Sequence, residues 1–479
     1  MKNILFVAFE GLPFVKVGGL ADVIYALPKA IDKKYKVRVT LPLFKVIKDK
    51  YKNKLKYLNQ VTVNSGTIKG KANIYSYTNE SIEYFFIENN KYYNRKEVYG
   101  YKDDGERYAF FSLAVVEMMI KLNYYPDICH VHDYHTSMVP AICKYKYSDN
   151  EKISNIKHVF TIHNLVYQGW YKKSYLKKYF GFDNRSLKDK DLIHKNQCNF
   201  MKAGICISDA FTTVSKTYAK EIQTPKIGCG LNNVIKKNKR KLYGIVNGID
   251  TSLFNPAVDK NIKQKYSLAN YKKGKKINKL ALQKKLHLDV NPNVMLVGMV
   301  SRLTFQKGAD LLVSSIHKIL NMNVQIVILG TGEKKYEEKF KELSKKYNNK
   351  FAYYCGYNEA LAHEVYAGID MLLMPSSFEP CGISQLISME YGTVPLVRET
   401  GGLKDTVLPL NKNKLTGTGF TFKDYKAKEF YKTFAYAYKQ YYNYPNRWNA
   451  LIKNGMKNDV SFHKSAKEYE KVYKKILCN

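Results

Sequence analysis

The chain has 479 residues, 45% of them hydrophobic, and a formal net charge of +38. That length exceeds one ordinary core and suggests two or three domains, while no run approaches the ~18 apolar residues of a membrane span. The first residues lack the small-residue cleavage site of a secretory signal, so a cytoplasmic protein is expected. Eight scattered cysteines, with no C-x-x-C and no cluster with histidines, argue against a disulfide framework or a structural zinc site. The charge invites a nucleic-acid or membrane-surface reading. Yet the basic residues are spread over the whole length, are almost all lysine, and accompany an excess of Asn, Ile and Tyr. A compositional bias over a solvated surface fits better, and neither a nucleic-acid nor a membrane partner is expected. The eight arginines (Arg38, Arg95, Arg107, Arg185, Arg240, Arg302, Arg398, Arg447) then become informative, because a planar fork is what lysine cannot supply.

In chain order, "ILFVAF" (Ile4 to Phe9) predicts a buried strand, and "FVKVGGLADV" (Phe14 to Val23) a loop that runs into a helix. Two glycines let the main chain approach a ligand, and the first amides of a helix have no intrahelical partners. Lys16, Gly18 and Gly19 therefore suit an anion, phosphate above all. The pattern is neither G-x-G-x-x-G nor a P-loop, and a Gly-rich turn with a solvated lysine fits this stretch equally well. Further strands are predicted at "KVRVTL" (Lys36 to Leu41), "ICHVH" (Ile128 to His132), "HVFTIH" (His158 to His163) and "FTTV" (Phe211 to Val214). A second series follows with "VMLVGMVS" (Val294 to Ser301), "VQIVILGTG" (Val324 to Gly332), "DMLLMP" (Asp370 to Pro375) and "VPLV" (Val394 to Val397).

Runs apolar on both faces, separated by helical patterns, imply parallel sheets covered on each side, here twice. The junction is expected near residue 245, giving domains 1–245 and 246–455, with 456–479 a C-terminal helix packed on the domains. The stretch "KNIKQKYSLANYKKGKKINK" reads as a solvated surface or a flexible insert. Ligands of such sheets bind beyond the strands' carboxyl ends, and the polar motifs sit there. Two domains facing each other would enclose a cleft.

"SRLTFQKG" places Arg302 and Lys307 after the first strand of the second series, where two fixed cations could hold a diphosphate. "PSSFEPCGISQ" brings Glu379, and "RETGGLKDTV" a second glycine pair. In order, "KVGGLADV", "VHDYHTSMVP", "TIHNLVYQGW", "NFMKAGICISDAFTTVSKTYAKEIQTPKIGCGL", "IVNGID", "SRLTFQKG", "FEPCG" and "YGTVPLVRETGGLKDTV" closely resemble bacterial glycogen synthase and plant starch synthase, over about residues 3 to 470.

The resemblance implies the type B glycosyltransferase fold: two Rossmann-like, doubly wound α/β domains facing across a cleft. It implies transfer of glucose from ADP-glucose to the nonreducing 4-hydroxyl of an α-1,4-glucan, with retention of configuration and no metal or other cofactor. Lys16, Gly18, Gly19, Arg302 and Lys307 would surround the diphosphate, and Tyr357 would stack on the adenine. Glu379 would hydrogen-bond the transferred glucose, helped by Cys381 and Gly382, with Thr400, Gly401 and Gly402 close to the phosphate or sugar. His163 would lie against the glucose with Asp133 nearby, and Glu10, Asp22 and Asn247 near the sugar or acceptor. His132 and His135 have no assigned role. Ser377 departs from a frequent arginine, and "DVSF" (Asp459 to Phe462) from a frequent "DFSW". Alternatives are a UDP-glucose-using or other-acceptor transferase of the same fold and a basic noncatalytic binder, while the pyridoxal phosphate motif of a phosphorylase is not found.

Overall fold

A strand that is apolar on both faces has to lie between two covering layers, and both series of such strands do. The computed structural model describes residues 1–183 and 186–478; Arg185 lies outside the described residues. The chain divides into one unit formed by Met1–Asn247 with the chain from Phe462 onward, and a second formed by Gly248–Ser461.

The strands of the first unit are β1 (Asn3–Val7), β2 (Lys36–Pro42), β3 (Lys56–Ser65), β4 (Ile68–Asn79), β5 (Ile82–Glu88), β6 (Ile128–His132), β7 (Lys157–Ile162), β8 (Trp170–Lys172), β9 (Ile193–His194), β10 (Gln197–Asn199), β11 (Ala210–Thr213) and β12 (Leu242–Gly244). Nine form one sheet in the order β12-β11-β7-β6-β1-β2-β5-β4-β3, and β8, β10 and β9 form a small sheet of their own. Pairing is parallel from β12 to β5, and β4 and β3 close the edge antiparallel. The order reverses at β1, which has β2 on one side and β6 on the other, so the loops after β1 and β6 diverge at a crevice. β3 and β4 alternate buried with more exposed residues over much of their length, a half-covered pattern that the search for two-sided apolar runs passes over.

Two of the buried polar side chains inside this sheet, His130 and Thr161, satisfy each other. His130 on β6 pairs through Nε2 with Thr161 Oγ1 at 2.7 Å and through Nδ1 with the Tyr473 hydroxyl at 2.8 Å. Tyr473 belongs to the helix Phe462–Cys478, which packs on the helix Gly19–Ile31. The last helix thus starts at Phe462, not at residue 456, and belongs with the first unit. Residues up to Lys457 end the preceding helix of the second unit, and an Asp459 turn, whose carboxylate accepts from the Ser461 amide at 3.0 Å, separates the two.

The second unit holds β13 (Met295–Val300), β14 (Val324–Leu329), β15 (Phe351–Tyr354), β16 (Met371–Met374), β17 (Val394–Arg398) and β18 (Phe420–Phe422), all parallel, in the order β15-β14-β13-β16-β17-β18. Here the reversal lies between β13 and β16.

The lysine-rich stretch is not a solvated insert. Its second half enters the helix Tyr271–Lys285, which turns Lys275 and Lys279, one helical turn apart, into the core. Lys275 Nζ donates to the carbonyls of Ala367 (3.1 Å) and Tyr391 (3.2 Å) and to Thr393 Oγ1 (2.7 Å), and burial pushes its pKa down to about 7. Lys279 pairs with Asp370 at 2.7 Å. Long aliphatic stems fill the space under the helix while carbonyls and a carboxylate at its floor take the ammonium groups.

Arginine is used where a fork is needed. Arg95 grips both oxygens of Asp103 at 2.6 and 2.5 Å, and the wholly buried Arg107 donates to the carbonyls of Tyr92 (2.9 Å) and Val98 (3.1 Å). Truncating Lys275 would strand its carbonyl partners and leave a void. We expect Lys275→Ala to cost about 2–4 kcal/mol, and Lys272→Ala on the exposed face of the same helix less than about 0.5 kcal/mol, by urea denaturation.

Candidate functional site

In the second unit the loops after β13 and β16 pack backbone against backbone. Gly308 has φ +77°, and a Cβ there would lie 2.2 Å from the Pro375 carbonyl oxygen, so only glycine allows the approach. The Ser377 amide donates to Gln306 O at 2.8 Å across the same seam. Lys307, one residue before that glycine, places its ammonium 2.5 Å from Glu379 Oε2, and Ser376 Oγ donates to the same oxygen at 3.2 Å. Glu379 is buried, whereas Arg302, on the loop after β13, is exposed and its guanidinium makes no hydrogen bond among the described residues.

The loop after β17 presses on the same segment. Gly401 has φ +44° and its absent Cβ would fall 1.8 Å from Glu379 O; at Gly402 it would fall 2.1 Å from Cys381 O. The Gly402 amide donates to the carbonyls of Glu379 (3.2 Å) and Pro380 (3.1 Å). This glycine pair therefore shapes the Glu379 loop directly, with Thr400 and Cys381 buried beside it. Gly382 turns the chain at φ +78°, next to the side chain of Gln385, which donates to the Gly382 carbonyl at 3.0 Å. Arg398, at the end of β17, ties down the other side: Nε donates to Ser376 O at 2.7 Å, Nη2 to Ser377 O, and Nη1 to Lys423 O at 3.2 Å. Ser377 itself bonds Gln306 O. Tyr357, on the loop after β15, is 75% exposed and presents a broad ring to solvent.

In the first unit the loop after β1 is arranged around a carboxylate. The amides of Val17 and Gly18 both donate to Glu10 Oε2, Gly18 at 2.9 Å, and Lys16 pairs with Asp22 at 2.7 Å. Gly19 opens the helix. Burial, opposed by the two amides, raises the Glu10 pKa to about 7, with Asp22 adding to the rise and Lys16 offsetting it. Asp133 follows β6 with φ +54°, which lets its carboxylate turn back and accept the His163 amide at 2.8 Å. Its pKa is likewise raised to about 7, by burial first, with a contribution from Glu10. His163, after β7, pairs through Nε2 with His132 Nδ1 at 3.0 Å, and burial pushes its pKa down to about 3. Asn247 is buried with its Oδ1 unpartnered.

The structure thus groups Glu10, Lys16, Gly18 and Asp22; Asp133 and His163; and Lys307, Glu379, Cys381, Gly401 and Gly402. Sequence reasoning missed the roles of Ser376, Arg398 and His132 in holding these groups. Arg398 carried a signal as one of few arginines; His132 did not, since its partner is remote in sequence. Among the described residues no three His, Cys, Asp or Glu converge as metal ligands, and no helix is long and apolar enough to cross a membrane.

Residues 3–237 match the family model described as starch synthase catalytic domain, and residues 279–457 the one described as glycosyl transferases group 1. Glycogen synthase of Clostridium beijerinckii is 43% identical over 99% of this chain and 99% of its own, and that of Streptococcus uberis 44% identical over 98% of each. The catalytic domain of starch synthase IV from Arabidopsis thaliana, solved with ADP and acarbose, matches with a TM-score of 0.92 and 32% identity over 100% of both chains. Sucrose-phosphate synthase from Thermosynechococcus elongatus matches over 100% of both chains with a TM-score of 0.62; at 15% identity that likeness speaks for the fold alone.

The raised Glu10 pKa has a stability consequence. A carboxyl whose folded pKa of about 7 exceeds its ordinary 4.5 contributes stability that is complete below pH 4.5 and is lost as pH rises through 7. Glu10→Gln cannot ionise and should flatten that decline, leaving the variant more stable than the wild type at pH 8 by on the order of 3 kcal/mol. Urea midpoints measured from pH 4.5 to 8 check this; equal slopes in the two proteins would reject the burial of an ionising Glu10.

Proposed function

Since the chain belongs to the glycogen and starch synthase family of glycosyltransferases, we propose that it transfers glucose from ADP-glucose to the nonreducing 4-hydroxyl of an α-1,4-glucan, retaining the anomeric configuration. The observation that carries this reading is the Lys307–Glu379 pair, 2.5 Å apart at the reversal of the second unit's sheet, with the exposed Arg302 on the same loop as Lys307. Glycogen synthase is the printed activity of the relatives, and ADP and acarbose are bound in the Arabidopsis neighbour.

Arg302 and Lys307 are assigned to the donor's diphosphate. As the glucosyl bond breaks, negative charge builds on the leaving phosphate; Lys307, placed by the backbone seam at Gly308, and the exposed Arg302 of the same loop are the cations assigned to meet it. This supplies the charge neutralisation for which other transferases use a divalent cation, so turnover should survive a chelator. Glu379, fixed by Lys307, Ser376 and the Gly402 amide, is assigned to the hydroxyls of the transferred glucose. Tyr357 offers a flat ring to the adenine. The Val17 and Gly18 amides already surround one carboxylate, which supports assigning the Lys16–Gly19 loop to an anionic ligand. His163 and Asp133 are assigned to the sugar, and Asn247 to the sugar or acceptor. A retaining glycosidase would set a second carboxylate ~5 Å from the first. Glu379 is instead paired with the Lys307 ammonium at 2.5 Å, which fits a front-face transfer with the departing phosphate taking the acceptor's proton. The absence of disulfides among the described cysteines fits the reducing cytoplasm.

The direct test is radiolabelled glucose transfer to glycogen from ADP-glucose and from UDP-glucose, with and without chelator, followed by NMR of the new anomeric proton. Transfer only from UDP-glucose would replace the donor; a β-linked product would reject retention. Arg302→Ala and Lys307→Ala should each lower kcat by ~10²-fold or more, and Arg302→Lys should recover part of it. Tyr357→Ala should instead raise the KM for the donor with kcat little changed, because stacking acts equally before and during the reaction. Near-normal turnover in both cation variants would move the diphosphate elsewhere.

A further inference from the structure

We propose that His132 is a positioning residue that fixes the tautomer of His163, so that His163 faces its ligand as a hydrogen-bond donor through Nδ1–H and not as a base. Only the identity of that ligand, a hydroxyl of the transferred sugar, rests on the function proposed above.

The two rings sit at the ends of neighbouring parallel strands, β6 and β7, where His132 is in register with Thr161 and His163 lies two residues farther on. Between them runs one hydrogen bond, His132 Nδ1 to His163 Nε2, at 3.0 Å. Burial pushes both imidazoles to low pKa, so both are neutral at working pH and each carries a single N–H. Two arrangements fit one bond. If His163 donated from Nε2, His132 would carry its proton on its own Nε2, an atom that is fully buried with no partner. If His132 donates from Nδ1, the buried Nε2 is a bare lone pair instead. A buried N–H with no acceptor is the rarer and costlier defect, and the ring's other surroundings are aromatic: Phe6 stacked at 5.6 Å and His130 at 4.2 Å between centroids.

His132 is therefore the donor, and its proton fills the Nε2 lone pair of His163. That leaves the His163 proton on Nδ1, which makes no hydrogen bond among the described residues. His130, held by Thr161 and by Tyr473 of the last helix, backs the His132 ring from the other side. A histidine with its lone pair occupied this way cannot accept a proton from an incoming hydroxyl, which leaves deprotonation to another group.

The test is ¹⁵N NMR of histidine-labelled full-length protein, with the His163 signals identified by their loss in His163→Asn. His163 should be protonated at Nδ1 and bare at Nε2. In His132→Phe, which keeps a ring but no donor, the signal should move to the Nε2–H tautomer that free imidazole prefers, and kcat should fall by roughly tenfold or more with little change in the KM for the donor. His132→Asn, whose amide nitrogen can stand in for Nδ1, should restore the Nδ1–H tautomer and most of the turnover. A wild-type His163 protonated at Nε2 would overturn the proposal, as would an unchanged tautomer in His132→Phe; if that variant does not fold, the wild-type spectrum and His132→Asn decide. The predicted tautomer in a protein that transfers no glucose would reject the proposed function and leave this inference standing.

Discussion

Everything chemical in this protein follows from the burial of parallel strands on both faces. Such a strand has no wet side, so a polar side chain within it needs a partner inside the fold, as His130 and Thr161 have in each other. The side chains left to meet a ligand are those of the loops at the carboxyl ends, where the strand order reverses. In the first unit those are the loops after β1, β6 and β7; in the second, the loops after β13, β16 and β17. What then sets the position of each side chain is how closely one loop's backbone can approach the next. Gly308, Gly401 and Gly402 are points of close approach around Glu379, and each brings main chain to within a distance no other residue permits.

The same constraint explains what was legible in the sequence. Two-sided apolar runs such as "ILFVAF" and "VQIVIL" announce themselves by composition, and the motifs that follow them are placed by continuity of chain. The half-covered strands Lys56–Ser65 and Ile68–Asn79 and the short ones, such as Phe351–Tyr354 and Phe420–Phe422, offer no such signature. Nor do relationships between distant residues. That Arg398 would hold the carbonyls of Ser376 and Ser377, or that Tyr473 would reach His130, depends on strand order, which no local pattern encodes. The boundary of the last helix is obscured for a local reason: apolar residues at helical spacing run through both Pro445–Lys457 and Phe462–Cys478, and only the Asp459 turn divides them.

Lysine gave the least reliable signal. Seventy-nine basic against forty-one acidic residues make a solvated surface the natural reading of any lysine run, and for Lys272 and Lys273 it holds. Lys275 and Lys279 break it because a butyl stem is as good a core filler as many aliphatic side chains, provided acceptors wait at its end. Three acceptors meet Lys275 and the Asp370 carboxylate meets Lys279, so one lysine sits near the point of neutrality and the other stays in a salt bridge. Composition cannot distinguish the two faces of one helix; only the floor beneath them can.

The two units also divide the electrostatic work. The second offers a fixed ion pair, Lys307 with Glu379, and the exposed Arg302 on the loop that carries Lys307. In the first, beside the Lys16–Asp22 pair, the groups after β1, β6 and β7 are ones that titrate: burial pushes the pKa of His132 and His163 down and raises that of Glu10 and Asp133 to about 7. Neutral imidazoles and protonating carboxylates suit a ligand rich in hydroxyls, which needs donors and acceptors in defined directions and gains little from net charge. A phosphate gains most from the opposite, charge held rigidly. The Glu10 carboxylate shows the first of these environments in one group: two main-chain amides, those of Val17 and Gly18, hold it in a defined direction, and burial still outweighs them and raises its pKa to about 7.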